Sequence, residues 1–205
     1  DHYLPPDNYQ EKPVVAIAHR TSPTDIGLSL LAGLTAYDLG YIPLNELVQR
    51  TEKTLSTMGR LKRFRGHFYN WYDTITLEPL LPRYISTVDS GNLVGNLLVL
   101  RQGLNELLES PVISGKCGDG LSDTVSLLSD ALNVTREKNY RDEPDSVQSR
   151  ITDLRVGTSS MPETTIETLK HLSGLHAIAS EVVDTLRSHP DDEVRWWAAA
   201  TKRQI

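Results

Sequence analysis

One cysteine, Cys117, in 205 residues leaves no internal disulfide framework and fits a reducing compartment. No run of about eighteen apolar residues occurs, so nothing reads as a membrane span. No signal-peptide pattern opens the chain. A basic surplus is missing as well: the formal net charge is −6, which argues against a nucleic-acid binder. The six histidines (His2, His19, His67, His171, His176 and His189) do not fall at metal-ligand spacing. His171 and His176, five apart, point to different faces of a helix, and with no HExxH pattern no metal site is expected. A nucleophile elbow, a P-loop and a dinucleotide fingerprint are also absent, and SGKCGDG at 114–120 reads as a turn. No cofactor is expected. Asn133, Val134 and Thr135 spell a glycosylation sequon with nothing else to support its use.

What the chain has is a concentration of rings. Phe64, Phe68, Tyr69, Trp71 and Tyr72 place five of thirteen aromatic residues within nine positions, with His67, Asn70 and Asp73 between them. Neither helical spacing nor strict alternation hides that many rings on one face, so several must lie near a surface. Flat rings beside short polar groups suit a sugar, whose C–H face stacks on an aromatic while its hydroxyls bond to amides and carboxylates. The alternative is a structured loop plugging the end of a helical core. The neighbouring cations Arg60, Lys62, Arg63 and Arg65 read as a solvated helix end, since cations favour a helix C-terminus.

Elsewhere the pattern is helical. Residues 1–22 read as an extended lead-in, broken by Pro5, Pro6 and Pro13. The opening DHYLPPDNYQ, without an initiating Met, reads as part of a longer protein. Ser22, Pro23 and Asp25 give a cap, a first-turn proline and an acid at N3, and Gly40 closes a helix over 23–39. A second helix is expected over 44–58. The stretch 60–88 has few regular signals, and a structureless connection of that length is usually functional. Further helices are expected over 91–108, capped by Asp89 or Ser90, then 121–134, then a shorter one after a polar passage through 136–144. The clearest covers 163–187, and a last segment follows Pro190. Trp196 and Trp197 are expected to send at least one ring into the core. The class is therefore all-α, about seven helices packed as antiparallel pairs.

Glycan chemistry would need carboxylates, normally two flanking the scissile bond. Asp73 and Asp89 lie closest to the aromatic run. Each also has a structural alternative, Asp73 an Asx turn and Asp89 a helix cap.

The segments DNYQE, HRTSPTDIGL, LKRFRGHFYNWYDT and LPRYISTVDSGNLVGNL, taken in order, resemble the start of the glucoamylase-like cyclisation domain of bacterial cyclic β-1,2-glucan synthases. The likeness covers about residues 5–110 and is general beyond. It implies an (α/α)6 toroid, of which 23–205 would form about half. It also implies intramolecular transglycosylation of a linear β-1,2-glucan, with net retention through two carboxylates about 5 Å apart. The family's catalytic glutamates are expected beyond residue 205, so the catalytic residues here stay unknown, with Asp73 and Asp89 as candidates. The resemblance assigns sugar binding to Arg20, Thr21, Ser22, His67, Tyr69, Asn70, Trp71, Tyr72, Asp73, Asp89, Ser90 and Asn92. Implied partners are the β-1,2-glucan chain and the remaining domains of the synthase, with self-association through exposed apolar helix faces and no nucleic acid. The implied location is a cytoplasmic domain of an inner-membrane protein. The alternative function is a non-catalytic helical module that docks a protein through its aromatic loop.

Overall fold

The computed structural model describes residues 2–111, 116–137, 145–159, 161, 162 and 164–205. It divides into two compact units, Asp1–Ala36 with Leu44–Ser110, and Tyr37–Pro43 with Pro111–Ile205.

The first unit opens with a hairpin of β1 (Asn8–Gln10) and β2 (Ala16–Ala18), followed by β3 (Arg20–Thr21). Ser22 then starts α1 (Pro23–Asp38) with a reciprocal cap. The Ser22 backbone N–H and hydroxyl both donate to Asp25 Oδ2, at 2.9 and 2.8 Å, and the Asp25 N–H returns a bond to Ser22 Oγ at 3.2 Å. In α2 (Leu44–Arg60), the buried Thr54 and Thr57 donate to the carbonyls of Tyr3 and His2, pinning the start of the chain to this helix. The core here joins Leu4, Ile26, Leu30, Met58, Leu61, Tyr72, Leu93 and Leu100.

Between α2 and the next helix, the expected structureless stretch is organised. β4 (Arg63–Phe64) and β5 (His67–Phe68) pair through a two-residue turn in which Arg65 and Gly66 have φ of 50° and 87°. Both values fit a type I′ hairpin, whose twist matches the strands it joins. β6 (Tyr72–Asp73) pairs with β3, in the register Arg20↔Asp73 and Thr21↔Tyr72. Helix α3 (Thr87–Leu108) begins earlier than expected and is capped by neither Asp89 nor Ser90. Ser86 holds the extended cap conformation, and its hydroxyl accepts the Asp89 N–H at 3.1 Å. Asp89 is thus the N3 acid of the helix, and its carboxylate is left for other partners.

The second unit gathers α4 (Lys116–Glu137), α5 (Asp145–Thr158), α6 (Thr165–Leu186) and α7 (Asp192–Gln204). α4 packs against α5 and α7, and α6 against the same two helices. Leu128, Ile151, Leu154, Val182 and Val194 lie among the buried apolar side chains between them. Residues 116–120, read as a turn, are instead the start of α4. Their glycines serve close packing: a Cβ on Gly120 would lie 2.4 Å from the carbonyl carbon of Gly40. Residues 114, 115 and 138–144 of the expected loops, and residue 163 at the expected start of α6, lie outside the described residues. Trp197 packs on the core while Trp196 is largely exposed, so one of the paired rings goes inward.

The chain is thus mostly helical, with seven helices among the described residues. The three two-stranded ladders are the departure from the all-α expectation. They form where prolines and tight turns keep 8–21 and 63–73 extended.

Candidate functional site

Residues 70–73 run as a short extended segment with neighbours on both sides. On one side lies β3. On the other, the Trp71 carbonyl accepts the Leu80 N–H, and the Asn70 N–H donates to the Tyr84 carbonyl, each at 2.9 Å. Asn70 and Tyr72 are buried while Trp71 between them is half-buried, and the Asn70 amide reaches Asp89 at the start of α3.

Asn70 is the hub. An indole N–H can only donate and a carboxylate only accept, which sets the orientation of the amide. Oδ1 takes the Trp71 Nε1–H and the Tyr84 hydroxyl, and Nδ2 donates to Asp89 Oδ2, all at 2.8 Å. The other oxygen of Asp89 accepts the Thr24 hydroxyl at 2.7 Å, and Thr24 Oγ1 accepts from Asn92 Nδ2 at 3.1 Å. The Arg20 guanidinium lies 4.7 Å from the centroid of the Trp71 ring. It is anchored by Asp7, whose Oδ2 accepts from Nε at 2.9 Å and from Nη2 at 2.7 Å. Side chains from the lead-in, β3, α1, the aromatic run, the segment before α3 and α3 itself thus converge. They comprise an indole, a guanidinium paired with one carboxylate, a second carboxylate, two amides and two hydroxyls, a set suited to neutral hydroxyl-bearing ligands.

No protein-family model matches this chain. Over 133 residues, 64% of its length, it is 45% identical to the cyclic beta-(1,2)-glucan synthase NdvB of Rhizobium meliloti (strain 1021). The chain is a relative of the cyclic β-(1,2)-glucan synthases. It spans only 5% of the length of that synthase.

Of the twelve side chains that the resemblance to these synthases assigns to sugar binding, five lie in this network: Arg20, Asn70, Trp71, Asp89 and Asn92. Others are used internally. Tyr72 is fully buried, its hydroxyl donating to the Lys62 carbonyl at 2.7 Å and accepting the Tyr69 N–H at 2.8 Å; burial pushes its pKa up. It is a core residue that ties the aromatic run to the end of α2. Thr21 is likewise fully buried, Ser22 is the α1 cap, and the Ser90 hydroxyl donates to the Ser86 carbonyl within α3. Tyr69 is half-buried with its ring edge against Tyr72. His67 is exposed on the β4–β5 hairpin.

Asp73 closes an Asx turn, Oδ1 accepting the N–H groups of Thr76 at 2.7 Å and Ile75 at 2.8 Å. Those two bonds hold its carboxyl below the usual range, with His19 adding to the effect. The basic cluster is only partly a helix end. Arg60 closes α2, but Lys62 pairs with Glu78, and Arg63 and Arg65 lie over the rings of Phe68 and Phe64. Those two rings are therefore covered on one face.

Asp7, Thr24 and Tyr84 belong to the network and were not singled out from sequence. Thr24 carries a usable signal, a hydroxyl one residue from the capping acid. Asp7 and Tyr84 join only through long-range pairing. Among the described residues no cluster of three His, Cys, Asp or Glu side chains suits a metal ion, and no helix is long and apolar enough to cross a membrane.

Proposed function

We propose that this chain contributes a glucan-binding surface to the domain of a cyclic β-1,2-glucan synthase that closes linear β-1,2-glucan into rings by intramolecular transglycosylation. The observation that carries the reading is the Asn70-centred network around Trp71, set within a chain 45% identical over 133 residues to such a synthase. A glucosyl unit would stack on Trp71 and bond through its hydroxyls to Asp89, Asn92 and Tyr84. Asp89 is the carboxylate that sits within the Trp71 network, whereas Asp73 closes its own turn beside it, so Asp89 is the candidate we place against the sugar. The parent protein would be the enzyme, working without a cofactor in this segment, in a cytoplasmic domain at the inner membrane. Its catalytic carboxylate pair would lie elsewhere.

The helices would supply antiparallel pairs of about half an (α/α)6 toroid. Support comes from the outward face of α3, where Val88, Val94 and Leu98 are exposed and Gly91 and Gly95 have open space at their Cβ positions. Such a face suits further helices of the parent or a second copy.

The test is ring closure in membranes containing the parent synthase. Trp71→Ala should lower cyclic product about tenfold to a hundredfold while linear elongation persists, the loss of one stacking platform felt in the transition state. Asp73→Asn keeps an acceptor for the Asx turn and should cost far less. Unchanged ring formation in Trp71→Ala at normal protein levels would make the aromatic run structural.

A further inference from the structure

We infer that Asp7 is a positioning residue: through Arg20 it holds the Trp71 indole as a one-sided platform for a neutral pyranose. The inference rests on the glucan-binding reading above and adds to it which face of the ring is used and what fixes it.

Three contacts define the platform. The Arg20 guanidinium covers one face of the indole, 4.7 Å from its centroid, so a ligand would have to use the opposite face. Among the described residues no aromatic ring stacks on Trp71, and the side chain is only partly buried. The indole N–H is committed to Asn70 Oδ1 at 2.8 Å, which stops the ring turning about its side-chain bonds and removes its one donor from ligand recognition.

The guanidinium itself would otherwise be mobile, because the Arg20 side chain is about half exposed. Two N–H groups converging on one Asp7 oxygen fix its plane. The backbone holds the same alignment independently: the Asp7 N–H donates to the Arg20 carbonyl at 2.7 Å, and Arg20 pairs with Asp73, two residues along the strand from Trp71. A change at the Asp7 carboxylate therefore frees the guanidinium without unpicking the strand.

Charge adds selectivity. Asp7 neutralises Arg20, and Asp89 is bonded by Thr24 and Asn70, so the platform carries no unpaired cation. An anionic saccharide would gain nothing at such a surface.

The experiment follows the Trp71 indole N–H by NMR in the full chain, assigned through Trp71→Phe, alongside titration with linear β-1,2-glucan. Asp7→Asn should shift the Trp71 indole signal, leave the melting temperature near the parent value, and weaken glucan binding about threefold to tenfold, since preorganisation rather than a direct contact is lost. Asp7→Glu should restore most of the affinity. An Asp7→Asn chain with an unmoved indole signal and parental affinity, while Trp71→Ala abolishes binding, would overturn the role of Asp7 and leave the glucan site standing. Full binding by Trp71→Ala would remove the glucan site itself. A shifted indole signal in Asp7→Asn would still establish the clamp in that case.

Discussion

The two units differ in how their hydroxyl side chains are used. In the second unit, the hydroxyls of Thr124, Ser126, Thr135, Thr152, Ser180, Thr185 and Thr201 each donate to the carbonyl four residues back on their own helix. Those bonds satisfy the side chain locally, and of the seven hydroxyls Thr135 also lies 3.5 Å from a distant partner, Asp191. In the first unit, Thr24, Thr54 and Thr57 reach partners more than fifty residues away, and Asn70 joins the aromatic run to α3. Binding surfaces need side chains held from several directions, and the first unit gathers its polar groups around Asn70 in that way. The helices of the second unit are joined by apolar packing, with the Gly40 turn and Arg150–Glu181 among its long-range polar contacts.

The largest effect should come from breaking that packing. Ile151 is fully buried between the helices of the second unit, so Ile151→Ala should cost about 2–5 kcal/mol. Glucan affinity and the Trp71 indole signal are expected to stay at their parental values. Loss of both in a still-folded chain would show that the contrast between the units is false. Calorimetric melting and titration of one sample decide it.

A smaller effect is expected in the first unit. Tyr72→Phe removes a buried hydroxyl and orphans the Tyr69 N–H and the Lys62 carbonyl, a cost of about 1–3 kcal/mol. Chemical denaturation measures it. A neutral result would mean that water replaces the hydroxyl, and the aromatic run would then be held by its rings alone.

The least effect belongs to the turn at Asp73. Its carboxyl titrates below its ordinary value of 3.8 in the folded chain, because the N–H groups of Thr76 and Ile75 stabilise the charged form. Its contribution is therefore full above that ordinary value and is lost as pH falls through the depressed one. Amide exchange at Ile75 and Thr76 should accelerate relative to neighbouring amides across that acid window. In Asp73→Asn, which keeps the acceptor but cannot titrate, that extra acceleration should vanish.

Much of this was legible from local signals. Ser22, Pro23 and Asp25 mark the start of α1, and Ser86 with Asp89 repeats the same logic at α3, three or four residues before the Asp89 or Ser90 that the periodicity suggests as its cap. The β4–β5 hairpin carries no usual turn signature, because its turn places Arg65, an unusual residue there, at positive φ before Gly66. The start of α4 was hidden because glycine normally breaks a helix, whereas Gly118 and Gly120 are there for room against Met161 and the Gly40 turn. At the site, ring density drew attention to Asn70 and Trp71. Nothing local distinguishes Asp7 or Tyr84, whose parts depend on which distant segment the backbone brings alongside.

The assignment of Tyr37–Pro43 to the second unit has a consequence for how the molecule can be made. These seven residues are the last two of α1 and the turn that leads to α2, yet Gln204 donates to the Gly40 carbonyl and Tyr41 to Asp123. During synthesis the first unit can finish as soon as Ser110 emerges, while the Gly40 turn must wait for almost the entire remaining chain. No single cut in the polypeptide separates the units cleanly, and a fragment ending at 110 would carry a docking turn whose seat has not been made.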